Sequence, residues 1–213
     1  MIVNETFYSI QGEGTQTGLP MAFIRLTGCN LRCKWCDTKY AYYEGEEKSI
    51  EEIFNSCRKY NTRYVCITGG EPLIQKDTTK LIQFFLKKNY FVLLETNGSI
   101  DIKPCYSYIK KNLKIALDIK CPSSGMHKKM KFSNISHLRK NDDLKFVIGN
   151  ERDYEYAKNI IRKYKTNANI IFQPVGGLNA KGIAKKVLLD RLNVRVMLQL
   201  HKIIFGGEDE KNI

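Results

Sequence analysis

The stretch Gly28-Cys29-Asn30-Leu31-Arg32-Cys33-Lys34-Trp35-Cys36-Asp37-Thr38 decides how the rest of the chain is read. Three cysteines separated by three and then two residues lie in one short loop, so all three sulfurs can turn onto a single inorganic centre. They bind as thiolates. No fourth cysteine follows nearby, whereas most electron-carrying clusters take four thiolates and structural zinc sites are closed by four ligands. A centre held by three keeps an open corner for a substrate or cofactor. The alternatives are a zinc knuckle completed by a distant Cys or His, and unpaired core cysteines. Asn30, Arg32 and Lys34, interleaved with the cysteines, do not suit a core segment.

The bulk properties frame that loop. At 213 residues the chain fits one domain, 1–213, with a sizeable core. Apolar content of 43% and aromatic content of 11% are globular values. No apolar run reaches the ~20 residues of a membrane helix, and Met1-Ile2-Val3-Asn4-Glu5 lacks the pattern of a signal peptide, so a cytoplasmic protein is expected. Seven cysteines in a reducing compartment suggest metal ligation more than disulfides. Cys57, Cys66, Cys105 and Cys121 are scattered and read as buried or half-buried small residues. The net charge of +13 is spread over nearly every polar segment and forms no arginine-rich arm, which favours an anionic small substrate over nucleic acid.

Outward from the loop, Phe7 to Gly18 carries glycines at 12, 14 and 18 and reads as irregular, either a plain hairpin connection or a loop whose backbone meets a ligand. Met21 to Thr27 reads as a buried strand interrupted by Arg25. A charge there is costly unless paired, so Arg25 meets either a carboxylate of the fold or, the preferred reading, an anionic ligand. Ser49-Ile50-Glu51-Glu52 is a capping box opening a helix to about Tyr60. Strands follow at Tyr64–Thr68, Phe91–Glu95, Lys114–Asp118, Leu144–Ile148, Asn169–Phe172 and Val194–Leu200, with helices at Thr78–Lys88, Glu151–Lys165 and Asn179–Arg191. The lysine-rich run His127 to Lys140 reads as an exposed excursion or a short helix.

Strands alternating with helices predict parallel pairing. The units are too few for a closed eight-fold barrel, so the fold class is α/β, an open partial β/α barrel. Ligands sit at the carboxyl ends of such strands. There lie the cysteine loop, Thr68-Gly69-Gly70-Glu71, Glu95-Thr96-Asn97-Gly98, Asp118 to Lys120 and Gln173-Pro174-Val175-Gly176. Glu71 is a candidate acceptor for an ammonium group.

The C-x3-C-x2-C spacing resembles the signature of the radical S-adenosylmethionine enzymes. There the fourth iron of a [4Fe–4S] cluster chelates the cofactor and cleaves it reductively to a 5′-deoxyadenosyl radical. With Gln11-Gly12-Glu13-Gly14, Asp37-Thr38, Glu95-Thr96-Asn97-Gly98, Val194-Arg195-Val196 and Gln199-Leu200-His201 added, the chain from about Phe7 to His201 is similar to the 7-carboxy-7-deazaguanine synthase family. The resemblance implies a set of roles. Cys29, Cys33 and Cys36 hold the cluster, and Trp35, Cys36 and Asp37 help seat the cofactor. Gly70, Asp118, Ile119, Lys120, Gln173, Pro174, Val175 and Gly176 line the rest of the S-adenosylmethionine site. Ile10, Gln11, Gly12, Arg25 and Thr68 hold the pterin substrate, Arg25 facing its carboxylate, and Thr38 contacts Mg2+. No catalytic residue is implied beyond the cofactor and metal ligands.

The implied reaction converts 6-carboxy-5,6,7,8-tetrahydropterin to 7-carboxy-7-deazaguanine with loss of ammonia, as in queuosine precursor synthesis. Also implied are a homodimer and an electron donor such as flavodoxin or ferredoxin. Two departures stand out: Leu198 replaces a proline common in relatives, and the tail 206–213 is acidic and polar, which puts a substrate contact by the Ile213 carboxylate in doubt. The nearest rival enzyme is an activase that takes hydrogen from a glycine of a partner protein; the rival outside catalysis is an iron–sulfur or zinc binding module, and a nucleic-acid-modifying radical enzyme, with salt-sensitive RNA binding, is third.

Overall fold

Short apolar runs such as Val65-Cys66-Ile67 and Val92-Leu93-Leu94 are buried on both faces, the condition of strands in a covered parallel sheet. The computed structural model describes residues 1–107 and 111–206. Its single sheet contains β1 (Ile2–Ile10), β2 (Pro20–Leu26), β3 (Glu46–Glu47), β4 (Tyr64–Gly69), β5 (Phe91–Thr96), β6 (Leu113–Ile119), β7 (Asp143–Ile148), β8 (Asn169–Pro174) and β9 (Arg195–Val196). The spatial order is β3-β1-β2-β4-β5-β6-β7-β8-β9. Its end strands do not pair with each other, so the sheet stays open. From β2 onward neighbours run parallel, while β1 is antiparallel to both β2 and β3.

The helices cover one face of this sheet. α1 (Ile50–Arg58) starts at the predicted capping box, with Ser49 and Glu52 exchanging side-chain and backbone hydrogen bonds. α2 (Thr78–Lys87) turns Leu81, Ile82, Phe85 and Leu86 inward at helical spacing. α3 (Glu151–Lys163) begins at Asn150, whose side chain accepts from the Asp153 amide. α4 (Lys181–Leu189) completes the set, and α5 (Leu200–Phe205) contributes no residue to the core. Ile24, Ile67, Leu94, Leu117, Phe146 and Phe172 meet these helices in the main core.

The alternation of a strand sends the intervening residues to the opposite face. Met21, Phe23, Cys66 and Leu93 form a second, smaller cluster there, with Phe7 and Ala116 against it. One step further along each strand that same face becomes polar: Arg25, Thr68, Glu95, Asp118 and Lys145. Registers align them, Arg25 opposite Thr68 and Asp118 opposite Lys145.

Three expectations are corrected. Phe7 to Ile10 belong to β1, and only the residues after them form the loop, because strand pairing with Pro20–Phe23 overrides the turn-like composition that follows. The run 127–140 contains two short 3₁₀ turns and is not wholly exposed: Asn134 is buried, donating to the Gly98 and Ile100 carbonyls, and Ile135 is in the core. The last strand is Arg195–Val196 alone, and Leu200 starts α5.

Candidate active site

The polar row opens into a cavity of about 380 Å³ at the carboxyl ends of the parallel strands. Cys29, Cys33 and Cys36 all lie on its wall, half-exposed and free of disulfides. The loop that carries them is pinned from three sides. Lys34 N donates to the Ser124 carbonyl (3.1 Å), Trp35 Nε1 to Ser123 Oγ (3.2 Å), and Gly28 N to the Ala41 carbonyl (2.8 Å). Gly70 packs so closely that a β-carbon there would collide with the Gly28 carbonyl and stand 2.7 Å from Cys29 Cβ. Only glycine lets the β4 turn lie flat beneath the cysteine loop.

Three thiols in one loop are the donor set of an iron–sulfur cluster with one corner left open. Burial raises the Cys29 thiol above its ordinary value and pushes Cys33 up to about 11.

Arg25 is 8% exposed. It meets a carboxylate of the fold. Its Nε donates to Glu5 Oε1 at 2.7 Å, a carboxylate that also accepts from Tyr40 Oη (3.1 Å). The guanidinium lies over the rings of Phe7 (5.5 Å) and Tyr40 (5.7 Å). It also lines the cavity. Antiparallel pairing of β1 and β2 sets Glu5 against Arg25, a partner that lies twenty positions away in sequence.

Further round the wall, Lys145 pairs with Glu13 and with Asp118 (3.4 Å), and Lys120 with Asp118 (2.9 Å). Gln199 donates to Glu13 from the start of α5. Burial alone would raise the Glu13 carboxyl, but Lys145 and Gln199 outweigh it and hold the group at about 2. Asp118 Oδ1 is buried with no partner among the described residues. α5 closes this side: the Leu200 amide donates to the Gly12 carbonyl (2.9 Å), the His201 ring fills the space a Gly12 side chain would take, and Lys202 approaches Asp37 (3.6 Å).

Of the candidates named from sequence, the cavity gathers Ile10, Gln11, Gly12, Arg25, Thr68, Gly70, Asp118, Lys120 and Gly176 with the segment Trp35 to Thr38. Ile119, Gln173, Pro174 and Val175 are not on its wall. Ile119 packs in the main core, and Gln173 is fully buried with neither amide atom partnered among the described residues. Glu71 is corrected: it is fully buried and accepts from Thr96 Oγ1 (2.8 Å), Asn97 N (2.6 Å) and Leu73 N (3.0 Å), which leaves no place for a ligand ammonium. The tail 207–213, and with it Ile213, lies outside the described residues. Sequence reading missed Glu5, Tyr40 and Lys145 as wall residues. Lys145 carried a signal, since it interrupts an apolar strand just as Arg25 does.

An open β/α sheet with three free cysteines in the loop after its first parallel strand defines the radical S-adenosylmethionine class, and the Radical SAM superfamily model matches residues 23–178. Such proteins use a [4Fe–4S] cluster and S-adenosylmethionine. Within that superfamily the chain belongs to the 7-carboxy-7-deazaguanine synthase family. It is 39% identical to the 7-carboxy-7-deazaguanine synthase of Thermoplasma acidophilum over 97% of this chain and 98% of that one. It is 40% identical to the enzyme of Methanospirillum hungatei, over 96% of this chain and 85% of its relative. The crystal structure of QueE from Escherichia coli superposes with a TM-score of 0.77 at 25% identity, covering 94% of each chain. The glycyl-radical activase alternative gains no support from these relatives. Among the described residues no helix is long and apolar enough to cross a membrane.

Proposed function

We propose that the cavity binds 6-carboxy-5,6,7,8-tetrahydropterin and converts it to 7-carboxy-7-deazaguanine with release of ammonia. The observation that carries this reading is the presence of Arg25 and the three cysteines on the wall of one cavity. The cluster and S-adenosylmethionine supply, when bound, the hydrogen-atom abstraction that starts the rearrangement. Everything else falls to the chain. Arg25 has spent Nε on Glu5, and Nη1 and Nη2 have no protein partner among the described residues. They offer the parallel pair of N–H groups that a carboxylate accepts. Phe7 and Tyr40 hold the guanidinium plane, so little entropy is lost on binding. Thr68, beside Arg25 in register, and the backbone of Ile10 to Gly12 flank the same space. Phe7 and Phe23, stacked 4.8 Å apart, make an apolar floor, and α5 shields the rim from water.

Gly70, Trp35 and the Asp118–Lys120 pair serve the S-adenosylmethionine side, and the orphaned Asp118 Oδ1 is an acceptor waiting for a ligand hydroxyl or amine. Thr38 offers its hydroxyl to the cavity beside Cys36. Mg2+ takes few protein ligands and keeps water and substrate oxygens, so one hydroxyl suits it, and the ion would supply charge and orientation. We assign electron supply to a flavodoxin or ferredoxin type of donor and the working state to a homodimer, both as the resemblance to the family implies. We place the protein in a reducing compartment such as the cytoplasm, where cysteines that ligate iron stay as thiols.

The test is anaerobic: cluster-reconstituted protein, reductant, S-adenosylmethionine, Mg2+ and the carboxytetrahydropterin, with mass spectrometry for the deazapurine carboxylate. 5′-Deoxyadenosine without that product would keep the class and remove the substrate. Arg25→Ala should raise KM by about 10²-fold, the worth of a charge-assisted hydrogen-bond pair, while iron content stays at the native level; equal loss of both would refute the carboxylate contact.

A further inference from the structure

We propose that Asn97 is a positioning residue for the iron–sulfur centre, donating a side-chain hydrogen bond to Cys29 Sγ that raises the reduction potential of the cluster Cys29 holds. The inference rests on reading the three cysteines as cluster ligands.

The amide of Asn97 has one possible orientation. Its Oδ1 accepts from Ser99 N (3.0 Å) and Ser99 Oγ (2.7 Å). Turning the amide over would press its NH2 against a backbone N–H, so the nitrogen must face the other way. There Nδ2 meets Cys29 Sγ at 3.8 Å and Asn30 Oδ1 at 3.1 Å, one hydrogen for each. The backbone beneath is equally fixed. Glu71 Oε2 takes the Asn97 amide and Oε1 takes Thr96 Oγ1, so a buried carboxylate on the β4 turn clamps the turn after β5. This is the work left for Glu71 once an ammonium ligand is excluded.

The three sulfurs are then unequal. Cys29 accepts from Asn97 and from Leu31 N (3.4 Å), Cys36 contacts Thr38 Oγ1 (3.7 Å) and the Tyr42 hydroxyl, and among the described residues no N–H or O–H donates to Cys33. Reduction places another negative charge on the cluster and its sulfurs. A donor aimed at one sulfur from a 7% exposed side chain therefore favours the reduced form, because hydrogen bonds to the sulfurs and solvent exposure set cluster potentials.

The experiment is a redox titration followed by electron paramagnetic resonance on the reconstituted full chain, native against Asn97→Ala and the isosteric Asn97→Asp, with iron and sulfide counted per chain. Both variants should load the cluster and reduce less readily. For Asn97→Ala the reduction equilibrium should weaken about tenfold, which is about 59 mV for one electron, and Asn97→Asp should fall further because it brings a negative charge. Ser99→Ala removes one of the two donors that orient the amide and should give a smaller shift in the same direction, which keeps the test available if position 97 tolerates no change. A loaded cluster whose equilibrium moves less than roughly twofold in Asn97→Ala overturns the proposal. A native chain that takes up no cluster overturns the reading beneath it, and the proposal with it.

Discussion

Strands β6 and β7 lie side by side and carry a lysine–carboxylate pair at each end. At one end Lys114 Nζ meets Asp143 Oδ1 at 2.8 Å with side chains 3% and 1% exposed. At the other, Lys145 and Lys120 meet Asp118 and Glu13 around the cavity. The chemistry is the same and the degree of satisfaction differs. Asp143 also accepts from Thr15 N (2.9 Å) and Thr15 Oγ1 (2.9 Å), and Lys114 reaches the Asn141 carbonyl as well. Asp118 keeps an unpartnered oxygen. Both oxygens of Asp143 are partnered and serve the fold, whereas one oxygen of Asp118 remains free for a ligand that the proposed function would place there. The saturated pair also serves the site at a distance, because it fastens Thr15 and hence the Gln11–Gly18 loop to β7.

That contrast breaks first if Asp143→Ala is mild. Removing it leaves Lys114 charged and unpaired in the interior, and the expected loss is about 3–5 kcal/mol of unfolding free energy in a denaturant titration. A loss near that of an average surface substitution would show that the pair is solvated. Asp118→Asn is the opposite case: product formation should fall roughly 10–100-fold, while the stability loss stays below that of Asp143→Ala, because Lys145 keeps Glu13 and the more exposed Lys120 keeps the amide oxygen as an acceptor. Equal damage to stability and activity would erase the distinction between the two ends.

Glu13 sharpens the comparison through pH. Its carboxyl is held at about 2, below the ordinary 4.5, so the folded state binds its proton less tightly than the unfolded chain does. The stabilisation is therefore fully present above 4.5 and lost as pH falls through about 2. Glu13→Gln should lower the melting temperature near neutral pH and cost progressively less across that acid window; a constant deficit would mean the carboxylate charge is not what stabilises. The smallest effect is expected of Thr15→Ala, which removes the hydroxyl bond to Asp143 and leaves the backbone bond, about 1 kcal/mol by denaturation.

How much of this was legible in the chain depended on how far apart the partners lie. The capping box at Ser49–Glu52 and the helices it and Thr78 open depend on contacts within one turn, and they appear where the sequence places them. Arg25 shows the limit. A charge inside an apolar strand announces that it must be paired, and the rule holds, but the choice of Glu5 depends on the antiparallel register of β1. That strand was itself half hidden, because its last residues run into a glycine-rich turn. The same rule applied to Lys114 and Lys145 marks both as significant, and no local feature says which one is saturated. Glu71 misled for the same reason: as the residue after two glycines it looks like a ligand, and its partners Thr96 and Asn97 come from the next β/α unit.

By itself, the sequence determined the open β/α order of elements, the three-thiol loop with its missing fourth ligand, and the strand ends at which a site must form. Each depends on periodicity or spacing that a short window contains. Only the tertiary structure decided which charges are spent on the fold and which are left for a ligand, and which sulfur receives the Asn97 amide. Those outcomes are set by strand register and by the packing of one β/α turn on the next, and both bring together residues that no local pattern connects.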